Sequence, residues 1–246
     1  MNKDISFLLK KYAEKYETAD FLLQDPSCFM HQVSGNTNKE VTAFIASCLS
    51  YGNRKQFMSK IQILLDYANN DMHTWIKEGC YKEHFKEGDN NCFYRLYNNY
   101  MMRKLFDALN RLLNEYGSIG DFINNNASDG LSAIKAITDF SAKSEIKTII
   151  PQNTSSACKR ICMFLRWMVR DSSPVDLGIW NKFIDKRTLI IPLDTHVLQE
   201  AHKLKLINSK TASMSVAIKL TEKLKEIFPE DPLKGDFALF GYGVNH

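Results

Sequence analysis

Met101-Met102-Arg103-Lys104-Leu105-Phe106-Asp107-Ala108-Leu109-Asn110-Arg111-Leu112-Leu113-Asn114-Glu115-Tyr116 carries the pattern that decides the fold class. Met101, Leu105, Leu109, Leu112, Leu113 and Tyr116 fall on one stripe of a 3.6-residue period, the signature of an amphipathic helix with one face against a core. The same spacing recurs through most of the chain, and alternating strand patterns are nearly absent. Helices are expected near residues 4–16, 37–50, 54–69, 72–78, 99–116, 130–140, 157–170, 195–206, 211–227 and 232–240. Start signals agree: Thr37-Asn38-Lys39-Glu40 has the spacing of a capping box, and Ser118 with Asp121 repeats it. Pro26, Pro151, Pro174, Pro192, Pro229 and Pro232 all stand where the helical pattern pauses. The polar stretches Lys77 to Asn91 and Asp171 to Arg187 are expected as surface insertions.

The chain has 246 residues, of which 44% are hydrophobic and 24% charged, ordinary values for a globular protein with a core of its own. That length suits one all-α domain of two lobes, residues 1–246, with the site in the cleft between the lobes. Six cysteines (Cys28, Cys48, Cys80, Cys92, Cys158 and Cys162) occur without a C-x-x-C pair, and no signal-peptide pattern opens the chain. Reduced thiols in a cytoplasmic protein follow. No apolar run approaches the roughly 20 residues that span a bilayer, so no membrane partner is expected. Lys and Arg number 32 against 28 Asp and Glu, a balance that permits a polyanionic partner without requiring one. The cations do cluster: Lys159, Arg160, Arg166 and Arg170 precede the next acidic residue, Asp171. A solvated basic helix face and a phosphate-binding face both account for that cluster.

Two residues stand out chemically. Lys159 lies near the start of an expected helix, where the helix dipole and Arg160 both disfavour a protonated amine, which suits a lysine nucleophile. A solvated surface lysine is the plain alternative. Asp194, in Ile190-Ile191-Pro192-Leu193-Asp194-Thr195-His196-Val197, stands directly before a helical pattern and is expected as its N-cap. Capping alone explains an aspartate there. The same amide hydrogens also hold the carboxylate ionised, ready to take a proton or stabilise a cation.

Together these strings resemble the helix-hairpin-helix superfamily of DNA glycosylases, which includes endonuclease III and the short archaeal 8-oxoguanine DNA glycosylases. Lys159 is followed by Phe164-Leu165-Arg166, like the archaeal catalytic lysine, and Leu193-Asp194-Thr195-His196 is similar to the Val-Asp-Thr-His string around the endonuclease III aspartate. Leu220-Thr221-Glu222-Lys223-Leu224, then Pro229 and Phe240-Gly241-Tyr242-Gly243, continue the likeness downstream. Upstream, Arg95-Leu96-Tyr97-Asn98 resembles an Arg-Phe-Tyr-Asn string, and Ala46 to Gly52 resembles a Leu-Leu-Ser-Ala-Gln turn. The likeness spans roughly residues 37 to 243. The chain also resembles an uncharacterised bacterial family carrying the Met163-to-Arg170 and Ile190-to-Val197 strings.

The resemblance implies a base-excision enzyme, a glycosylase and abasic-site lyase, acting as a monomer on DNA that contains a damaged base or an abasic site. Lys159 would attack C1′ of a nucleotide swung out of the duplex, and Asp194 would accept a proton. Arg160, Arg166 and Arg170 would hold phosphates, as would Asn153, Thr154, Ser155 and Ser156 before the lysine. Asn53, Arg54 and Gln56 would reach DNA from an upstream turn. Trp167, Trp180 and Phe183 would stack on the extruded base, although aromatic residues at helical spacing also read as core.

The chain departs from the family in three places. Pro151 to Ser156 has no Gly-x-Gly for close backbone approach to a phosphate. Lys159 and Asp194 are 35 positions apart, more than in endonuclease III. The four-cysteine tail is missing, so no iron–sulfur cluster is expected, and a lysine nucleophile requires no metal. His196 and His202 are six apart and point away from each other on a helix, a poor pair of ligands. A non-catalytic nucleic-acid-binding protein that keeps the fold, and a scaffold protein, are the alternatives.

Overall fold

The computed structural model describes residues 3–146 and 148–246. It is predominantly helical, as the periodicity requires. Its helices are α1 (Lys3–Tyr16), α2 (Cys28–Gln32), α3 (Asn36–Leu49), α4 (Arg54–Tyr67), α5 (Met72–Lys77), α6 (Asn99–Tyr116), α7 (Ile119–Asn126), α8 (Gly130–Lys143), α9 (Lys159–Val169), α10 (Thr195–Lys203), α11 (Met214–Lys225) and α12 (Lys234–Asn245). An antiparallel hairpin, β1 (Cys92–Tyr94) and β2 (Tyr97–Asn98), is the one sheet among the described residues. Also among them, no helix is long and apolar enough to cross a membrane.

The decisive stripe forms α6. Leu105, Phe106, Leu109, Leu112 and Leu113 are buried, Asn98 caps the helix by accepting from Met101 N at 2.8 Å, and Gly117 ends it at φ 88°. All ten expected helices are present. Among the described residues two further α-helices, α2 and α7, have five and eight residues, too short for a periodic window to register. The Ser118–Asp121 start signal is real: Ser118 Oγ accepts from Asp121 N at 2.9 Å and donates to Asp121 Oδ2 at 2.8 Å. The Thr37 capping box does not form. Helix α3 begins one residue earlier behind Gly35 at φ 81°, and the buried Glu40 carboxylate accepts from Gly120 N at 2.9 Å.

The chain divides into two compact units. Residues 26–127 and 136–153 form one, and residues 3–25, 128–135 and 154–246 the other. Within the first, α3 packs against α2, α4, α5 and α7. Rings of Trp75, Tyr81, Phe85 and Phe106 interlock there at 5.1–6.4 Å. Tyr81 and Phe85 come from the stretch expected as a surface insertion, so that reading is corrected. Within the second unit, α12 packs along α1 and α10.

The Asp171–Arg187 stretch is likewise core rather than insertion: Val175, Asp176, Trp180 and Ile184 are buried. Its backbone closes the C-terminus of α9. Leu177 N and Gly178 N donate to Trp167 O at 2.8 and 3.3 Å, and Trp180 N donates to Met168 O at 2.8 Å, satisfying carbonyls that a helix end leaves open. Gly178 has φ 63°, and a Cβ there would lie 2.6 Å from Asp171 Cα and 2.9 Å from Arg170 O. Backbone cannot yield as a side chain can. Gly178→Ala is therefore expected to lower unfolding free energy by about 1–3 kcal/mol, the cost of a strained residue, read as a shifted urea midpoint at unchanged m-value.

Candidate functional site

Helix α9 arranges its cations by depth. Lys159, Arg166 and Arg170 are seven and four residues apart, which places them within about 40° on a 3.6-residue helix. Their side chains are 32%, 4% and 0% exposed in that order. Carboxylates meet each of them. Arg170 Nε and Nη2 donate to Asp231 at 2.9 and 2.8 Å, Nη2 also to Glu17 Oε1 at 2.7 Å, and Nη1 to Asp176. Arg166 Nε donates to Asp176 Oδ1 at 3.2 Å and its Nη1 to Asp236. The Phe237 ring lies 4.7 and 5.3 Å from the two guanidinium carbons. Burial works against the charges on Arg166 and Arg170, but Asp176 and its neighbours outweigh it and hold both above the ordinary arginine pKa.

This corrects the expectation that Arg166 and Arg170 hold phosphates. Both guanidiniums are buried and paired with carboxylates. Trp167 and Trp180 are likewise buried at 0% and 1% exposure, so they offer no face to an extruded base. Phe183 is partly exposed, in a surface groove with Lys182, Lys186 and Arg187 that also contains Asp171, Asp185 and Glu230.

At the shallow end, Lys159 is the first residue of α9, preceded by Cys158 in a left-handed conformation at φ 46°. Asp194 is the N-cap of α10 and accepts from Val197 N at 2.8 Å. Lys159 Nζ lies 3.9 Å from Asp194 Oδ2, with the Asp194 side chain 42% exposed. Sequence spacing does bring these two together. Asp236, in the first turn of α12, completes the group. Burial pushes its carboxyl above the ordinary range; Arg166 and Lys159 pull it down, and Asp194 adds to the rise. Sequence reasoning missed Asp236, because a first-turn aspartate is explained by the helix dipole alone and lies 77 positions from Lys159.

The remaining expected contacts are superficial. Ser155 and Ser156 are exposed, Thr154 and Arg160 partly so, and Ser156 Oγ accepts from Cys158 N at 3.4 Å. Asn153, Asn53, Arg54 and Gln56 belong to the other unit and are exposed; Asn53 caps α4 by accepting from Gln56 N at 3.1 Å. Among the described residues no set of three or more His, Cys, Asp or Glu is placed to hold a metal ion. His196 Nδ1 stands 4.0 Å from Glu200 Oε1 on its own helix.

Residues 25–245 match the model of a family described as Protein of unknown function (DUF2400). Neither a curated protein nor a solved structure matches the chain.

Removing one partner from a buried ionic cluster leaves its counter-charges uncompensated, at about 3–5 kcal/mol. Arg170→Met strands Asp176, Asp231 and Glu17, so a loss of that size is expected in urea unfolding monitored by circular dichroism.

Proposed function

Because the chain belongs to the DUF2400 family, whose description assigns no activity, we propose its chemistry from its own residues: a DNA glycosylase and abasic-site lyase working through Lys159. The observation that carries this reading is the approach of Lys159 Nζ to Asp194 Oδ2, 3.9 Å across 35 positions of chain, with both side chains accessible to solvent. Resemblance to the helix-hairpin-helix glycosylases supplies the roles. The Lys159 amine attacks C1′ of the damaged nucleotide, the N-glycosidic bond breaks, and the base leaves with the electron pair of that bond. Asp194 takes the proton released from the attacking nitrogen and passes it to the departing base. Ring opening gives a Schiff base between Lys159 and C1′; loss of a C2′ proton expels the 3′ phosphate and nicks the strand, and water then frees the lysine.

The buried arginines fit this scheme as supports. They fix the axis of α9, and phosphate contact is assigned to Ser155 and Ser156, which are exposed, and to Thr154 and Arg160, which are partly so. Asp236, between Arg166 and the reactive pair, is assigned a positioning role through its electrostatic coupling to both Lys159 and Asp194.

Sodium borohydride is expected to reduce the Schiff base and leave the protein covalently bound to abasic-site DNA. Lys159→Gln should abolish the adduct, and Asp194→Asn should slow its formation by about 10²- to 10⁴-fold while still capping α10. Wild-type binding to the same DNA with no adduct on any lesion would instead support the non-catalytic binder.

A further inference from the structure

Helix α6 carries a second stripe, opposite the one that packs into the core. Tyr100, Arg103, Lys104, Asp107 and Arg111 fall within about 100° of one another on a 3.6-residue helix, and all five line a groove of about 320 Å³. Lys143, Ser144 and Glu145, at and just after the end of α8, complete the lining with Glu87. Every one of these residues belongs to the same compact unit.

One guanidinium in the groove is held still by the fold. Arg103 Nε donates to both Asp107 oxygens at 3.0 and 2.9 Å, its Nη1 donates to Phe85 O at 3.0 Å, and its guanidinium carbon lies 5.5 Å from the Tyr81 ring centroid. Its side chain is only 17% exposed, and Nη2 has no partner among the described residues. Tyr81 Oη also donates to Asp107 Oδ1, at 2.6 Å, so the Asp107 charge is already met from two sides. The other cations are far less satisfied. Lys104 Nζ is oriented by the Tyr100 ring, 5.2 Å away, and comes no nearer than 4.0 Å to Glu145, whose side chain is 82% exposed. An ion pair that long and that solvated contributes little. Arg111 and Lys143 are exposed and form no ion pair among the described residues. With Arg103 and Asp107 set aside as a pair, Lys104, Arg111 and Lys143 face only Glu87 and Glu145, and the groove keeps an excess of positive charge.

We propose that this groove binds a small phosphorylated molecule, its phosphomonoester dianion held by Arg103, Lys104, Arg111 and Lys143 with the hydroxyls of Tyr100 and Ser144 as further donors. A pre-positioned guanidinium flanked by ammonium groups is the donor set a phosphate takes, and the Asp107 clamp fixes that guanidinium before any ligand arrives. Size sets the upper limit. Pockets for small molecules begin at roughly 300 Å³, so the groove admits a compact ligand and little more. Charge argues against a nucleic-acid strand, whose row of phosphates would have to pass the carboxylates of Glu87 and Glu145, whereas one dianion needs only the cations. The inference goes beyond the lyase reading and does not rest on it, since no residue of the groove belongs to the Lys159 and Asp194 site.

The test is isothermal titration calorimetry of the full chain with inorganic phosphate and with ribose 5-phosphate, each against sodium chloride at matched ionic strength. Both phosphates are expected to bind saturably at one site, the sugar phosphate at least as tightly as the free ion. Arg111→Gln and Lys143→Gln should each weaken binding about tenfold, the value of one charge-assisted hydrogen bond. Glu145→Gln should shift it the other way, tightening it by up to about fivefold, because it removes an opposing charge and releases Lys104. All three altered residues are exposed, and unchanged urea midpoints confirm that folding is intact. Binding no better than chloride, or wild-type affinity in all three variants, would overturn the proposal. Exclusion of ribose 5-phosphate would overturn it as well, and so would displacement of phosphate by a duplex without terminal phosphates whose own binding falls in the same two variants. Lys159→Gln is expected to bind phosphate as wild type does, and a loss there would move the anion to the Lys159 site and overturn the assignment to this groove.

Discussion

Two arginines buried on one stripe of α9 set the terms for the unit that contains them. A guanidinium taken out of water is tolerated only if its donors are met, and Arg166 and Arg170 are met by carboxylates from four separate stretches: Glu17 after α1, Asp176 in the long connection after α9, Asp231 before α12 and Asp236 within it. Each of those stretches is thereby tied to one helix. The arrangement demands direction as well as charge, since Arg170 uses its fork on Asp231 and its remaining donors on Asp176 and Glu17. The buried Phe237 ring lies against both guanidiniums.

The candidate site is the exposed end of the same stripe. Lys159 continues the row that Arg166 and Arg170 begin, so the rigidity of the buried pair is passed along α9 to a lysine that solvent can reach. Asp194 approaches it from the start of α10, where capping fixes the carboxylate, and Asp236 joins the two layers by accepting from Arg166 while sensing both Lys159 and Asp194. A positioned amine beside a positioned carboxylate, backed by a buried ionic scaffold, is what the proposed covalent chemistry rests on.

Much of this was legible in the chain itself. Period 3.6 revealed the long helices because their stripes repeat over several turns, and Lys159 and Asp194 were visible as residues at helix starts. The fates of Arg166 and Arg170 were half legible: their spacing from Lys159 puts them on its face, but which face is buried depends on carboxylates 61 and 70 positions downstream. Local sequence carries no record of such partners. The same limit hid Asp236, and it explains why the stretch after α9 read as a loop: polar and rich in turn residues, it folds inward because Asp176 answers two buried cations. The hairpin escaped notice for a simpler reason, since strands of three and two residues are too short for alternation to declare itself.

The proposed chemistry turns on Lys159 as the amine that would capture C1′. Tandem mass spectrometry of the digested, borohydride-reduced adduct with abasic-site DNA reads that directly. Capture by Lys159 leaves the sugar remnant on the peptide containing Lys159, with the modification at its Nζ. The remnant on any other lysine or on the N-terminal amine would contradict it.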